Sequence, residues 1–264
     1  MSTVVKYLKF TWRYFKFNIQ TAMEYRASFI SQIVFMILND VFLLFFWWIF
    51  FSKFNQIKGW ELNHIFLIYA VAAGGFGFAT VLFGNCMRLG ELIAGGQLDF
   101  YLALPKNPLW HILVSKTSIS GLGDLFFGIG VYFFSKDPNI FGFLILLVMI
   151  MCSGIILASF SVIAFSSAFF FGHSESFGRL YTNALVSFSL YPSSIFKGFV
   201  KLLIFTVIPA GFIAYLPTNI ILNFDMAGFL SVVGFSLFSA ILASWVFNIG
   251  LKRYESGNLI IVRM

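Results

Sequence analysis

The residues able to do chemistry are few, and most stand alone. His64, His111 and His173 are the only imidazoles, and they are far apart in the chain. A zinc site or proton relay needs ligands at close helical spacing or in evident convergence, which these do not show. Cys86 and Cys152 form no CxxC and read as small apolar fillers. No G-x-x-x-x-G-K-[ST] phosphate loop occurs, so the chain cannot cradle and cleave a nucleoside triphosphate by that route. Two carboxyls are different. Asp40 and Asp124 interrupt long apolar runs. An ionisable group within hydrocarbon costs several kcal/mol, roughly 2.5–3.5 on insertion scales, unless it faces protein or water. Either they lie on a substrate path or at an interface between subunits, or each is hydrogen-bonded inside a helix bundle, Asp40 beside Asn39.

The densest polar chemistry lies in residues 87–110, MRLGELIAGGQLDFYLALPKNPLW, the longest polar interruption between two apolar runs. Leu89, Leu92 and Ile93 recur at three and four residues, so a short helix can rest one face on neighbouring spans while Arg88 and Glu91 point outward. Gly95 and Gly96 end that helix. Leu98, Tyr101 and Leu102 predict a second turn, stopped by Pro105 and Pro108, because proline lacks the donor N–H and disfavours helix in the residue before it. A rigid polar knuckle between two spans is a docking point for a soluble partner.

What must position these residues is a membrane-embedded bundle. Of the 264 residues, 60% are hydrophobic and only 10% charged, whereas soluble domains hold about 45–50% apolar and about 25% charged residues. The apolar runs exceed the roughly 20 residues a spanning helix needs and are apolar on every side, unlike the alternating strands of a barrel. The whole chain therefore reads as one transmembrane domain. The formal charge of +7 fits basic loops held on the cytoplasmic side better than nucleic-acid binding.

Residues 1–28 begin with Lys6, Lys9, Arg13, Lys16 and Gln20 on one helix face and Leu8, Trp12, Phe15 and Ile19 on another. That pattern predicts a helix lying in the headgroup layer rather than the first turns of a span, since four cations are too many to bury. Spans follow at about residues 29–51 and 65–86, where Ala70 with Gly74 and Ala73 with Gly77 allow close backbone approach. Further spans are expected at about 112–134 and 140–171, with a turn at Asp137-Pro138 between them. His173, Glu175 and Arg179 fall in a polar loop, either solvated or a second contact for a soluble partner, residues 180–191 are apolar again, and a final span covers about 228–251. The stretch 192–224 is cut by Pro209 and Pro217. Read as a re-entrant helical hairpin near the outer surface, it leaves six spans. Six spans with both ends inside put twelve cations on the cytoplasmic side, among them Lys106, Lys116, Arg179 and Arg263. They leave Lys53, Lys58, Lys136, Lys197 and Lys201 outside, as the positive-inside bias requires. No internal repeat is apparent, although many secondary transporters are built from two related halves.

This order of elements, with Ile93, Gly96, Leu98-Asp99, Leu102, Pro105 and Pro108, resembles the type-2 ABC exporter permeases. Gly96-Gln97-Leu98-Asp99, then Leu102 and Pro105, is similar to the family's cytoplasmic segment, and Tyr191-Pro192 and Tyr215-Leu216-Pro217 to its outer-hairpin signals. Here Leu104 precedes Pro105 and Lys106 follows it, whereas the family often has a basic residue before that proline. The resemblance implies an all-α, six-span transport subunit in the cytoplasmic membrane of a prokaryote, paired with a second permease chain and with separate ABC ATPase subunits. Those ATPases would hold the ATP and magnesium, with no cofactor in this chain. It also implies that residues 87–107 contain a coupling helix, with Arg88, Glu91, Gly95, Gly96, Asp99, Pro105 and Lys106 meeting the ATPase. A hydrophobic or amphipathic cargo is expected. The rival reading is a secondary transporter or channel acting without an ATPase.

Overall fold

The computed structural model describes residues 3–54, 56, 59–135, 138–172, 174–192 and 195–255. Lys58, Lys136, Asp137, His173 and Arg263 lie outside the described residues. The regular elements are helices: α1 (Thr3–Met23), α2 (Arg26–Lys53), α3 (Leu62–Leu82), α4 (Leu89–Ala94), α5 (Asp99–Leu102), α6 (Pro108–Val114), α7 (Ser120–Tyr132), α8 (Ile140–Phe165), α9 (Ala168–Phe171), α10 (Glu175–Ser189), α11 (Gly198–Leu203), α12 (Leu216–Leu222) and α13 (Met226–Leu251). A 3₁₀ turn, Gly84–Met87, precedes α4, and a π-helical turn, Gly211–Tyr215, runs into α12.

Four helical stretches among the described residues are long and apolar enough to cross a membrane: α2, α3, Ile140–Phe171 and α13. The run expected as one span at about 112–134 is broken into α6 and α7 by residues 115–119. There the chain is sewn to the end of α3: Gly84 N donates to Lys116 O at 3.0 Å and Ser118 N to Thr80 O at 2.9 Å. The polar run Ser115-Lys116-Thr117-Ser118 already marked the break, and the expected span should have begun after it; what the sequence did not show is that this run bonds to the end of α3.

α3 is the axis of the fold, and most of its length is buried. Its small residues permit this. A Cβ added at Gly128 of α7 would collide with the backbone of Gly74 and Ala70, and one added at Gly77 with that of Gly121 and Leu125. On another side, Gly75 meets Ser153 and Gly154 of α8. The expected four-residue spacing thus does bring backbones together, with α7 as the partner. By contrast, α2 and α13 keep broad apolar faces exposed, including Phe35, Phe42, Ile241 and Trp245.

The proline-broken stretch folds back into the bundle. Pro217 has no N–H to offer the carbonyl four residues earlier, which is that of Ile213. Ser153 Oγ of α8 donates to Ile213 O at 2.6 Å instead, and the freed backbone forms the π-helical turn. Tyr215 is buried and donates its hydroxyl to Phe188 O, while Phe212 stacks on Phe235 of α13 with ring centroids 4.0 Å apart.

Candidate functional site

Residues 87–110 form the knuckle expected of them, but the structure shows how firmly it is held. Leu89, Leu92, Ile93 and Leu98 are buried in a cluster with Phe165, Ala168 and Phe169. A Cβ at Gly90 would collide with the Phe165 ring, so α4 sits directly on the end of α8. Gly95 caps α4 and Gly96 takes φ +67°, where an L side chain is strained. α5 forms as the second turn, with Asp99 at its start.

One proline acts differently from expectation. Pro108 starts a helix instead of stopping one: it is the first residue of α6, where its missing N–H has no cost, and the Asn107 side chain accepts from Trp110 N at 3.0 Å. The capping signal was present in Asn107-Pro108 itself.

The charged residues are paired, not merely directed outward. Arg88 binds Glu91 through two hydrogen bonds of 3.0 Å. The Arg88 guanidinium holds the Glu91 carboxyl below the usual carboxylate range. Arg179 of α10 pairs with Glu175 one turn away, its Nε and Nη2 both donating to Glu175 Oε1, and the fields of the two pairs reach each other. Glu175 and Arg179, for which the sequence left open a solvated loop or a second partner contact, begin α10 and extend the surface begun by Arg88 and Glu91. Asp99 is exposed beside Tyr254, which burial, with Asp99 adding to it, shifts upward in pKa. Lys106 is turned to α1, with Nζ 5.8 Å from the Tyr7 ring centroid and 5.5 Å from that of Phe10. Pro105 is exposed. Phe100, 64% exposed on α5, is an apolar side chain presented among these charges; nothing in the run Leu98 to Leu104, which is mostly apolar, singled it out.

The brace on the other side was not legible. Tyr7, Thr11, Tyr14 and Asn18 recur at four, three and four residues along α1, and each is tied to the knuckle or its exit. Asn107 N donates to Tyr7 Oη at 3.2 Å, and Trp110 Nε1 to Thr11 Oγ1 at 3.1 Å. Tyr14 Oη lies 2.7 Å from His111 Nε2, and Asn18 Nδ2 donates to Ser115 O at 3.2 Å. Asn85 adds a tie from the 3₁₀ turn to Ile112 O at 3.0 Å. The histidines are used separately. His111 is packed against Phe10 and Tyr101, and His64 caps α3 by accepting from Glu61 N at 2.9 Å.

α1, the knuckle, the start of α10 and the end of α13 gather at one end of the bundle, where Phe169 packs against both Phe247 and Tyr254. Asp40 of α2 and Asp124 of α7 lie within the bundle, 5% and 2% exposed. Their carboxyls face each other, beside Asn39, and each keeps one oxygen without a protein partner. The structure thus brings these two together and leaves the knuckle residues apart from them.

Among the described residues, a helical bundle with four stretches long and apolar enough to cross a membrane, closed at one end by a braced charged knuckle, defines the class as a multi-pass membrane protein. The family model described as ABC-2 family transporter protein matches residues 36–257, and the chain belongs to that family, the type-2 ABC transporter permeases. It is accordingly a membrane transport subunit of an ABC transporter, not itself catalytic, and family membership implies partnership with an ABC ATPase. No curated protein and no solved structure matches the chain.

Proposed function

We propose that this chain is the permease of an ATP-driven exporter and that the knuckle of residues 87–107 is its coupling element. One observation carries the reading: a short charged surface, displaying Phe100, Arg88, Glu91 and Asp99, is rigidly seated on α8 and sewn to α1. A soluble motor that hydrolyses ATP moves as a rigid body, and a firmly seated knuckle passes that motion to the spans instead of absorbing it. Glu175 and Arg179 enlarge the same contact surface. ATP and magnesium belong to the partner ATPase.

In this reading α2, α3, α6 with α7, α8 with α9, α10 and α13 are six crossings, residues 192–224 a re-entrant hairpin, and both ends cytoplasmic in the cell membrane of a prokaryote. The gathering of α1, the knuckle and the end of α13 at one end of the bundle supports an even number of crossings. A second permease chain, like or unlike, covers part of the exposed apolar surface of α2. The cargo is hydrophobic or amphipathic, in keeping with so apolar a bundle.

The test is co-purification of an ABC ATPase with the chain from its native membranes. Reversing Glu91 and Asp99 together, E91R with D99R, is expected to abolish the association while the permease stays monodisperse. An association that survives both reversals overturns the docking assignment.

A further inference from the structure

A cavity of about 640 Å³ opens beneath α1, within the roughly 300–1,000 Å³ range of ligand-binding pockets. Four elements build its wall: α1 through Leu8, α6 through Trp110, α8 through Ala158 and Val162, and α13 through Ala243. It is separate from the carboxyl pair on α2 and α7 and from the charged face of the knuckle. Its lining is almost entirely apolar, and small residues on α8 and α13 keep it open.

The rim is different in character. Tyr7 and Asn107 belong to the lining, and Lys106, next to Asn107 in the chain, has its Nζ 5.8 Å from the Tyr7 ring centroid, so a cation lies beside the apolar chamber. Lys6, Lys9, Arg13 and Lys16 of α1 are all exposed, and no acidic residue occurs before Glu24. Leu8 and Trp12, at 62% and 64% exposure, carry the apolar face of α1 outward beside the opening. The occupant that matches a greasy chamber with a cationic lip is an amphiphile with a long hydrocarbon tail and a negative head.

We infer that this cavity holds an acyl chain of an anionic phospholipid, drawn from the leaflet on which α1 lies, with its phosphate at Lys106 and the basic face of α1. The bound lipid fills the space between α1 and the α8–α13 pair, where protein contacts are missing, and so completes the seating of the helix that is tied to the knuckle. The inference rests on α1 lying at the membrane surface and needs no ATPase contact.

The test uses the permease alone, reconstituted without any ATPase, so that a faulty docking assignment cannot affect the result. Vesicles of phosphatidylcholine carry a small fraction of either phosphatidylglycerol or phosphatidylcholine with a photoreactive group near the chain end, and adducts are mapped by mass spectrometry. Adducts of the phosphatidylglycerol probe are expected on α8 and α13 near Ala158 and Ala243, at least five-fold above those of the phosphatidylcholine probe. K106Q should lower them several-fold, and A243W, which fills the chamber, should remove them while labelling of the exposed α2 face persists. Folding of A243W is checked by its thermal transition; should it fail to fold, A158L replaces it. Equal labelling by the two probes, or labelling unchanged by K106Q and by the filling variant, overturns the inference.

Discussion

The hydroxyl of Tyr14 meets Nε2 of His111 at 2.7 Å across 97 residues of sequence. This joins the N-terminal helix to the first turns after the knuckle. With Tyr7, Thr11 and Asn18 on the same face of α1 it forms a four-point seam, so any displacement of the knuckle must carry α1 with it or break hydrogen bonds.

Removing two of those points tests the seam. T11V with Y14F deletes the partners of Trp110 Nε1 and His111 Nε2 without altering volume greatly. A net hydrogen bond contributes about 0.5–1.5 kcal/mol, so the pair should lower stability by about 1–3 kcal/mol. A thermal transition in detergent measures the loss, and a spin-label pair on α1 and α6 should show a broadened distance distribution.

The close crossing of α3 and α7 leaves no room for a side chain at Gly128. G128L should force the helices apart, at a cost of about 1–3 kcal/mol or more from overpacking. Gly130, two residues from the contact and with nothing within 4 Å of an added Cβ, should accept alanine with no loss. Size-exclusion profiles of the two variants make the comparison.

Ser153 supplies the donor that Pro217 cannot. S153A leaves Ile213 O buried without a partner, a loss of roughly 1–3 kcal/mol. S153T, which keeps the hydroxyl, should retain more of the stability than S153A. A fall no larger than that of S244A, an exposed control, would contradict the assignment.

Asp40 and Asp124 should show strong coupling. D124L leaves the other carboxyl facing an apolar wall and should cost about 1–3 kcal/mol or more, whereas D40L with D124L should recover part of that loss. A double-mutant cycle on the thermal transition gives the interaction energy, and additivity would mean that the two carboxyls do not act as a pair.

The Arg88–Glu91 pair separates folding from docking. R88E with E91R keeps an ion pair at three-residue spacing and, being surface-exposed, should change stability by less than about 1 kcal/mol. F100A should be equally mild for the fold. Both are expected to reduce ATPase co-purification at least ten-fold, read by pull-down from membranes.

Much of this protein could be read before any fold was known, because burial in lipid leaves a one-dimensional mark. Runs such as 29–51 and 228–251 must be apolar over about 20 residues to cross hydrocarbon, and α2 and α13 lie there. The knuckle was visible because charge, paired glycines and prolines interrupt those runs, and α4 ends at the glycines. The small residues at 70, 73, 74 and 77 announced a close contact. They could not say with which helix, since many distant segments are rich in glycine.

The amino-acid sequence by itself determined that the chain is a helical membrane protein, where its polar knuckle lies, and that no phosphate loop accompanies it, since each depends on composition or local spacing. Tertiary structure decided the rest. The bonding of residues 116–118 to the end of α3, the α1 seam, the rescue of Ile213 O by Ser153 and the meeting of Asp40 with Asp124 are all bonds or contacts between residues tens of positions apart. A hydrogen bond of this kind selects one partner among many with equal local chemistry, so only the packed geometry could choose it.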